Sequence, residues 1–219
     1  MSVLQKYIPL VNFLGQAMGS NCEVVLHDLT NPENSIIAIA NGHVSGRKLG
    51  GPTTDLVLKV MKEGLEGEKS FIANYNARIK NNGICRSSSF FIRDESNKIV
   101  GVLCVNLDIS KFVEAKKLLD NLISCETQPC LSVKSTADVI DVFEDLHSSI
   151  EDVLTAIIDN VLNKYEVTPD RLSLDEKIDV VRRLNENGLF LLKGGLNELA
   201  KRMQVSEPTI YRYLNKLKE

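Results

Sequence analysis

Four glycines and two adjacent basic residues, Arg47 and Lys48, stand close together in the stretch NGHVSGRKLGGPTTDL, residues 41–56. This composition is typical of loops whose backbone N–H groups cradle a phosphate. The spacing excludes the common nucleotide motifs, because neither G-x-x-x-x-G-K-[ST] nor G-x-G-x-x-G with a βαβ unit fits these glycines. The stretch therefore predicts a sharply turning loop in which Arg47 or Lys48 could attract an anion.

A hydrolytic triad is the best alternative chemistry in the sequence. His27 and Asp28 are adjacent, and the serines at 87–89 could supply a nucleophile. However, VLHDL is typical of a β-strand, in which neighbouring side chains point to opposite faces of the sheet. His27 and Asp28 therefore do not readily form the hydrogen-bonded pair of a triad, and we expect no enzymatic activity.

The cysteines and histidines do not predict a metal centre. The five cysteines have no C-x-x-C spacing, and the three histidines are widely separated. Cys104, in VGVLCVNL, is typical of a buried strand residue, whereas Cys125 and Cys130 flank ETQP and are either plain reduced thiols or a redox pair. This odd set of cysteines fits a reducing cytoplasm. We expect no metal and no cofactor.

Hydroxyl, amide and guanidinium groups in the first half of the chain suit a small polar metabolite, such as a small acid or an amino acid. The candidate ligand-binding residues are Asn41, Ser45, Arg47, Tyr75, Arg78, Arg86, Ser87 and Asn106. The alternative is that these groups hydrogen-bond to loop backbone and build a surface for protein–protein interaction or oligomerisation, without a small-molecule ligand. Both alternatives stay open at this point.

The elements that carry these residues are a helix and several short strands. Residues 1–20 have one broad apolar face, and CEVVLHDLT and SIIAIAN are β-rich runs separated by the turn-forming NPEN. TTDLVLKVMKEG has helical spacing. SFIANYNARI, GICRSSSFFIRD and KIVGVLCVNLDIS predict three further strands, of which the last two form a hairpin. This order favours an α+β fold that begins with a PAS-like antiparallel sheet and its helices.

A long connecting helix is predicted after the strands in the sequence. After the helical ISKFVEAKKLLDNLI comes the polar SCETQPCLSVKS, which is typical of a linker. Over residues 136–165, apolar residues then recur at steps of three and four. The members of this seam are Val139, Phe143, Leu146, Ile150, Val153 and Ile157. The seam packs either on its own domain or on a second chain, and the second alternative predicts a homodimer or higher oligomer.

The last fifty residues have the pattern of a helix-turn-helix (HTH) domain. Three short helical segments follow one another, SLDEKIDVVRRLNENG, GGLNELAKRM and SEPTIYRYLNKLK, and the third begins with Ser206 as N-cap. Ala200 is small where two helices approach, Val205 fills the turn, and Ile210 packs back from the third helix. Gln204 occupies the turn position where glycine is usual, and we expect it to be left-handed at modest cost.

The outward residues of the third helix predict binding to double-stranded DNA. Its first turns are polar, and its cations can reach phosphates beside a major groove. The predicted contacts are Ser206, Glu207, Pro208, Thr209, Tyr211, Arg212 and Lys216. The alternative is a three-helix packing module that does not contact DNA.

Charge and hydropathy agree with a DNA-binding protein of the cytoplasm. The chain carries a net charge of −3, but residues 171–219 hold 10 basic and 7 acidic residues, so the basic surface lies at the C-terminal end. No apolar run of about 18 residues is present, and the first residues lack a secretory signal pattern. We expect no membrane association.

The whole chain resembles the YheO-type, DauR-like family of transcriptional regulators, which join a PAS-like domain to a C-terminal HTH. The segments that carry the likeness are CEVVLHDL, SIIAIANGHVSGRKLGGPTTDL, NYNARIKNNGICRSSSFFIRDE, IVGVLCVNLDIS and LAKRMQVSEPTIYRYLNKL. The resemblance implies a cytoplasmic regulator that binds DNA as a dimer or higher oligomer, and it leaves the ligand open. We expect a sensor domain at 1–124, a linker and connecting helix at 125–169, and an HTH domain at 170–219.

Overall fold

The computed structural model describes residues 3–63, 69–80, 83–123, 144–165 and 167–217. Within these ranges no helix is both long and apolar enough to cross a membrane. The predicted linker at 124–135 and the first part of the predicted long helix, 136–143, lie outside the described residues.

The described chain forms a sheet with three helices, followed by a group of four helices. The strands are β1 (Cys22–Asp28), β2 (Ile36–Ala40), β3 (Phe71–Ile79), β4 (Gly83–Arg93), β5 (Ile99–Asp108) and β6 (Glu144–Asp145). The helices are α1 (Ile8–Ala17), α2 (Asp55–Glu63), α3 (Ser110–Ile123), α4 (Ile150–Leu162), α5 (Leu174–Glu186), α6 (Gly195–Arg202) and α7 (Glu207–Lys216).

The sheet has the strand order β2-β1-β5-β4-β3-β6. Its first five strands are antiparallel neighbours, as predicted, and β6 adds a short parallel partner to β3. The α+β class and the five predicted strands are thus confirmed. β6 was not predicted, because its two acidic residues have no strand pattern of their own.

Strand alternation separates two apolar cores. On one face, α1 packs over β1 and β2 with residues such as Val24 and Leu26. On the other face, Val25 and Cys104 pack with α2 in a second core. The second face also holds the buried polar residues Glu23, Tyr75, Ser87 and Asn106. The loop 41–54 and the start of α2 cover this face.

The predicted long helix over 136–165 is wrong for residues 144–149, whereas Ile150–Leu162 is helical as predicted. Residues 144–145 form β6 beside β3, and the helix begins only at Ile150, after the N-cap Ser149. Leu146 packs in the core of the sheet, whereas Val153 and Ile157 are buried among the C-terminal helices. The described seam therefore packs inside the chain, so it is not available as a dimer seam.

The four C-terminal helices share one core. Leu199, Ala200 and Ile210 are buried there together with residues of α4 and α5. The capping box of Ser173 and Glu176 starts α5, and Gln204 has a φ of 52° in the turn between α6 and α7. Because residues of α4 are buried in the same core as those of α5–α7, α4 is part of the HTH core. The boundaries at 124 and 170 stay predictions.

The sheet and the helical group are in contact through α2. Leu58 of α2 is fully buried in the core of the C-terminal helices. It lies against Gly188, the left-handed residue that ends α5 with a φ of 77°. Glu33 also accepts a hydrogen bond from the backbone of Lys193. α2 therefore touches both halves of the molecule.

Replacing Gly188 by alanine is expected to destabilise the protein by about 2–3 kcal/mol, because a left-handed residue would gain a side chain against packed backbone. An added Cβ would lie 3.0 Å from the carbonyl oxygen of Leu58. Gly194 is the matched control, since its φ is 86° but no atom lies within 4 Å of an added Cβ. We expect Gly194→Ala to cost only about 1 kcal/mol in urea unfolding. Equal losses for both variants would contradict the packing seen at Gly188.

Candidate ligand site and nucleic-acid interface

A row of polar residues crosses the sheet on the face below α2. Glu23 is the cross-strand partner of Asn106, Asn106 is the partner of Ser87, and Ser87 is the partner of Tyr75. All four side chains are buried, and none exceeds 9% exposure. Four adjacent strands thus present polar groups at one level in an otherwise apolar core, which we call the polar row.

One end of the polar row is a buried ion pair. Arg47 and Ser45, from the glycine-rich loop, both hydrogen-bond to the carboxylate of Glu23. Asn106 Nδ2 donates a third hydrogen bond to Glu23 Oε1 at 3.0 Å. The glycine-rich loop after β2 therefore places Arg47 inside the protein, where its guanidinium neutralises the carboxylate of Glu23.

The other end of the polar row is Tyr75, beside which lies Glu144, the first residue of β6. Glu144 Oε2 accepts a hydrogen bond from the Tyr75 hydroxyl at 2.7 Å, and the Thr54 side chain also donates to Glu144. The Tyr75 hydroxyl lies 2.9 Å from Ser89 Oγ. Glu144 is only 2% exposed, and no described cation forms a salt bridge with it.

Several buried polar atoms around the row have no hydrogen-bond partner among the described residues. They are Arg47 Nη1, Thr53 Oγ1, Ser87 Oγ, Asn106 Oδ1 and Glu144 Oε1. An unpaired buried polar group costs about 1–3 kcal/mol, and native proteins contain few of them. Their concentration on one face of one sheet is typical of a site that a polar molecule completes.

Burial and the ion pair set the charges of this site. Burial raises the pKa of Glu144, against the effect of its donors Thr54 and Tyr75. Burial disfavours the charge of Arg47, but Glu23 beside it outweighs this and raises the pKa of the guanidinium. The Cys104 thiol, 3.2 Å from Ser89 Oγ, has its pKa raised to about 12, chiefly by burial. It is thus the buried strand residue that the sequence predicted, and its raised pKa makes it an unreactive thiol.

The structure brings together five of the eight predicted ligand residues and leaves three outside. Ser45, Arg47, Tyr75, Ser87 and Asn106 lie in or above the polar row. The other three are Asn41, Arg78 and Arg86.

These three residues have other surroundings. Asn41 donates to the carbonyl oxygens of Gly15, Gly19 and Cys22 at 2.8–3.1 Å, so it ties the end of α1 to the sheet. Arg78 and Arg86 are exposed. They lie on the opposite face of the sheet because the buried residues of β3 and β4 alternate with them.

His27 lies on the same face of β1 as Glu23, and its Nδ1 is 2.8 Å from Ser35 Oγ. Burial, and next the charge of Arg47, lower its pKa well below the ordinary value. The folded protein therefore keeps His27 neutral, while the unfolded chain binds a proton as the pH falls through about 6.5. The stabilising contribution of His27 is thus present above that pH and lost below it.

We expect the stability advantage of the wild type over His27→Gln to shrink by about 1.4 kcal/mol between about pH 7.5 and about pH 5.5. Urea unfolding of both proteins measures it, and taking the difference cancels the titration of all other groups. An advantage that is constant over this range would show that the pKa of His27 is the same in the folded and unfolded protein, so that burial does not lower it.

The candidate DNA-binding helix is α7. Ile210 and Tyr213 face the core, while all of the predicted contact residues except the half-buried Thr209 are exposed. Tyr211 is 57% exposed. The Arg212 guanidinium lies 6.0 Å from the centre of the Tyr213 ring, at the limit of a cation–π contact. α7 thus presents one polar face with two cations, Arg212 and Lys216.

The first turn of α7 differs in detail from the prediction. Ser206 is the N-cap residue, but its hydroxyl does not cap the backbone. It lies 2.9 Å from the Thr209 hydroxyl instead. Glu207 accepts a hydrogen bond from Asn197 Nδ2 at 3.1 Å, so this carboxylate links α7 to α6. Pro208 occupies the first turn, where a missing N–H costs nothing.

Comparison with known proteins matches both halves of the chain. The model of the YheO-like PAS domain matches residues 1–124, more than half of the chain. The chain belongs to the YheO-like PAS domain family. An HTH domain model matches residues 153–215, from α4 to α7. The polar row thus lies in the YheO-like PAS domain and α7 in the HTH domain.

Three relatives are similar to this chain over nearly its full length. YheO of Escherichia coli (strain K12) is 29% identical over 99% of this chain and 85% of its own length. A protein of Haemophilus influenzae is 30% identical over 100% of this chain and 92% of its own length. The transcriptional regulator DauR of Pseudomonas aeruginosa is 27% identical over 99% of this chain and 95% of its own length.

Sequence reasoning missed both carboxylates of the candidate site, Glu23 and Glu144, of which only Glu23 lies within the YheO-like PAS domain. Glu23 had a signal, because a charged residue stands inside the apolar run CEVVL at the same alternation as the core residue Val25. Glu144 had no such signal, because it lies within a pattern of helical spacing in the sequence. Among the described residues, no group of three or more histidine, cysteine or acidic side chains is placed to hold a metal.

Proposed function

We propose that this protein is a transcriptional regulator that binds double-stranded DNA through its HTH domain and a small polar metabolite through its YheO-like PAS domain. The observation that carries the first part is the exposed polar face of α7 behind an HTH turn. A full-length relative named as a transcriptional regulator supports it. Such a protein acts by binding rather than by catalysis, and it works in the cytoplasm, where DNA is accessible.

The proposed DNA contacts follow from the exposure of α7. Thr209 and Tyr211, with the first turn from Ser206 to Pro208, face the bases of a major groove. Arg212 and Lys216 lie further along the helix and contact phosphates. A single recognition helix of this length binds one half-site, so two copies of the chain are needed for a specific operator.

The proposed metabolite completes the hydrogen bonds of the polar row. Arg47 Nη1 requires an acceptor, Ser87 Oγ can give or accept, and Asn106 Oδ1 requires a donor. Glu144 Oε1 lies at the far end of the row. A small acid or an amino acid carries such groups within the width of a few strands, about 5 Å apart.

We infer that α2 transmits ligand binding to the HTH domain. Thr54, just before α2, hydrogen-bonds to Glu144, and Asp55 Oδ1 accepts from the Asp145 N–H at 3.4 Å. One turn later Leu58 is packed in the helical core against Gly188. A ligand changes DNA affinity only by its differential affinity for two arrangements of these halves, commonly about 1–3 kcal/mol.

Binding to genomic DNA fragments, including the segment upstream of the protein's own gene, tests the DNA-binding part. We expect one or a few fragments to bind selectively, with an affinity that falls steeply as salt increases because phosphate contacts release counterions. Uniform weak binding to all fragments, with and without added metabolites, would contradict the proposal.

A thermal-shift screen with small acids, amino acids and other metabolite classes tests the ligand part. A true ligand raises the melting temperature of the wild type and of Ser96→Ala, a control in the exposed β4–β5 turn. It has a weaker effect on Ser87→Ala, whose hydroxyl lies in the polar row. If no class of metabolite stabilises the wild type, the polar row serves the packing or interaction role that is the alternative to ligand binding.

A further inference from the structure

An apolar surface lies along α3, which follows β5. None of the residues of α3 is buried. Five large apolar side chains are between 57% and 82% exposed, namely Phe112, Leu118, Leu119, Leu122 and Ile123. Scattered single apolar residues are normal on a protein surface, but five on one helix form a patch that calls for a partner.

The apolar residues of α3 have the spacing of a helix–helix seam. Phe112, Ala115, Leu119 and Leu122 follow one another at steps of three, four and three, as in the a and d positions of a coiled coil. Ala115 is small at the middle of this seam, which allows two helix axes to approach closely. Leu118 and Ile123 flank the seam and widen it. A helix is therefore the shape that fits this surface best.

The size of the patch agrees with a pair of chains. The five side chains expose on the order of 500 Å² per chain, near the largest apolar patch that a monomer usually carries. Two such patches facing each other across a twofold axis would bury on the order of 1,000 Å², about the least that a specific interface needs. An isologous contact brings the same residues of both chains together.

We propose that the α3 helices of two copies of this chain pack against each other and form the homodimer of the regulator. The occupant of the surface is thus a second copy. The next residues of the same chain, SCETQPCLSVKS, are mostly polar. The more apolar TADVIDVF at 136–143 follows them and is the alternative occupant, which a monomeric wild type would favour. The α3 contact itself is independent of the proposed function. Only the use of the dimer rests on that function, since a dimer presents two α7 helices to two half-sites.

Sedimentation equilibrium in the absence of DNA and metabolites tests the proposal. The wild type is expected to sediment with the mass of two chains. Leu119→Glu combined with Leu122→Glu should sediment as one chain at the same concentration, because four carboxylates would enter the seam of the dimer. The control is Leu49→Glu, since Leu49 is equally apolar and 67% exposed but lies in the loop 41–54; this variant should remain dimeric.

Circular dichroism and thermal unfolding accompany the measurement. The double variant should keep the helix content of the wild type, since both leucines are exposed in the single chain. A monomeric wild type would overturn the proposal, and so would a double variant that stays as dimeric as Leu49→Glu. If the double variant does not fold, Leu122→Asn alone replaces it and is expected to weaken the dimer at least about tenfold. Because no DNA is present, failure here leaves the DNA-binding proposal unaffected.

Discussion

Changing Tyr211 and Arg212 together to alanine is expected to reduce operator affinity by about 100-fold or more. Both side chains are exposed on α7, so the fold should not depend on them. A base contact contributes about 1–3 kcal/mol and a phosphate contact adds to it, and each dimer loses every contact twice. The measurement is a titration of a selected genomic fragment at fixed salt, together with a melting curve of the variant.

Arg86→Ala is the control for this prediction. Arg86 is also an exposed arginine, but it lies on the outer face of the sheet, and its loss should leave operator affinity within about twofold. The slope of log affinity against log salt concentration should be less steep in the variant that lacks Tyr211 and Arg212, because a phosphate contact is lost. It should stay unchanged in Arg86→Ala. Equal effects of the two arginines would mean that general charge, rather than α7, binds the DNA.

Removal of Glu23 is expected to have the largest effect on stability, about 3–5 kcal/mol for Glu23→Ala. Arg47 and Glu23 form an ion pair with side chains that are 1% and 0% exposed. Without Glu23, the guanidinium stays buried without a salt bridge, and the donors of Ser45 and Asn106 lose their acceptor. Glu144 also attracts Arg47, but no hydrogen bond between them is formed in the described structure. Urea unfolding at neutral pH measures the loss.

A double variant separates the cost of leaving Arg47 unpaired from the other effects of losing Glu23. Glu23→Gln with Arg47→Met removes both charges, keeps an acceptor for Asn106 and leaves the volume nearly unchanged. We expect it to be more stable than Glu23→Ala, because replacing both members of a buried pair is often nearly neutral. If the double variant is the less stable of the two, the unpaired charge of Arg47 is not what destabilises Glu23→Ala.

The predicted ligand residues differ in how far the local sequence determines where they lie. Ser87 and Arg86 are neighbours in one strand, so alternation alone places them on opposite faces, and the sequence was sufficient to exclude one of them. Asn41 is different. Its three acceptors come from α1, the turn after it and β1, which lie about twenty residues away and meet the loop only in the folded chain.

The amino-acid sequence by itself determined the elements with a strong local period: the five antiparallel strands, α2, α3, and the HTH with its left-handed Gln204. Hydrophobic periodicity, capping and turn residues act within a few positions, so they can be read without the fold. The tertiary structure alone decided that residues 144–145 pair with β3 although their surroundings have helical spacing. It also decided that Arg47 pairs with Glu23 and that Glu144 accepts from Tyr75 above the same sheet. These contacts join residues 24 and 69 positions apart, and their free energy depends on burial and partners that no local pattern contains.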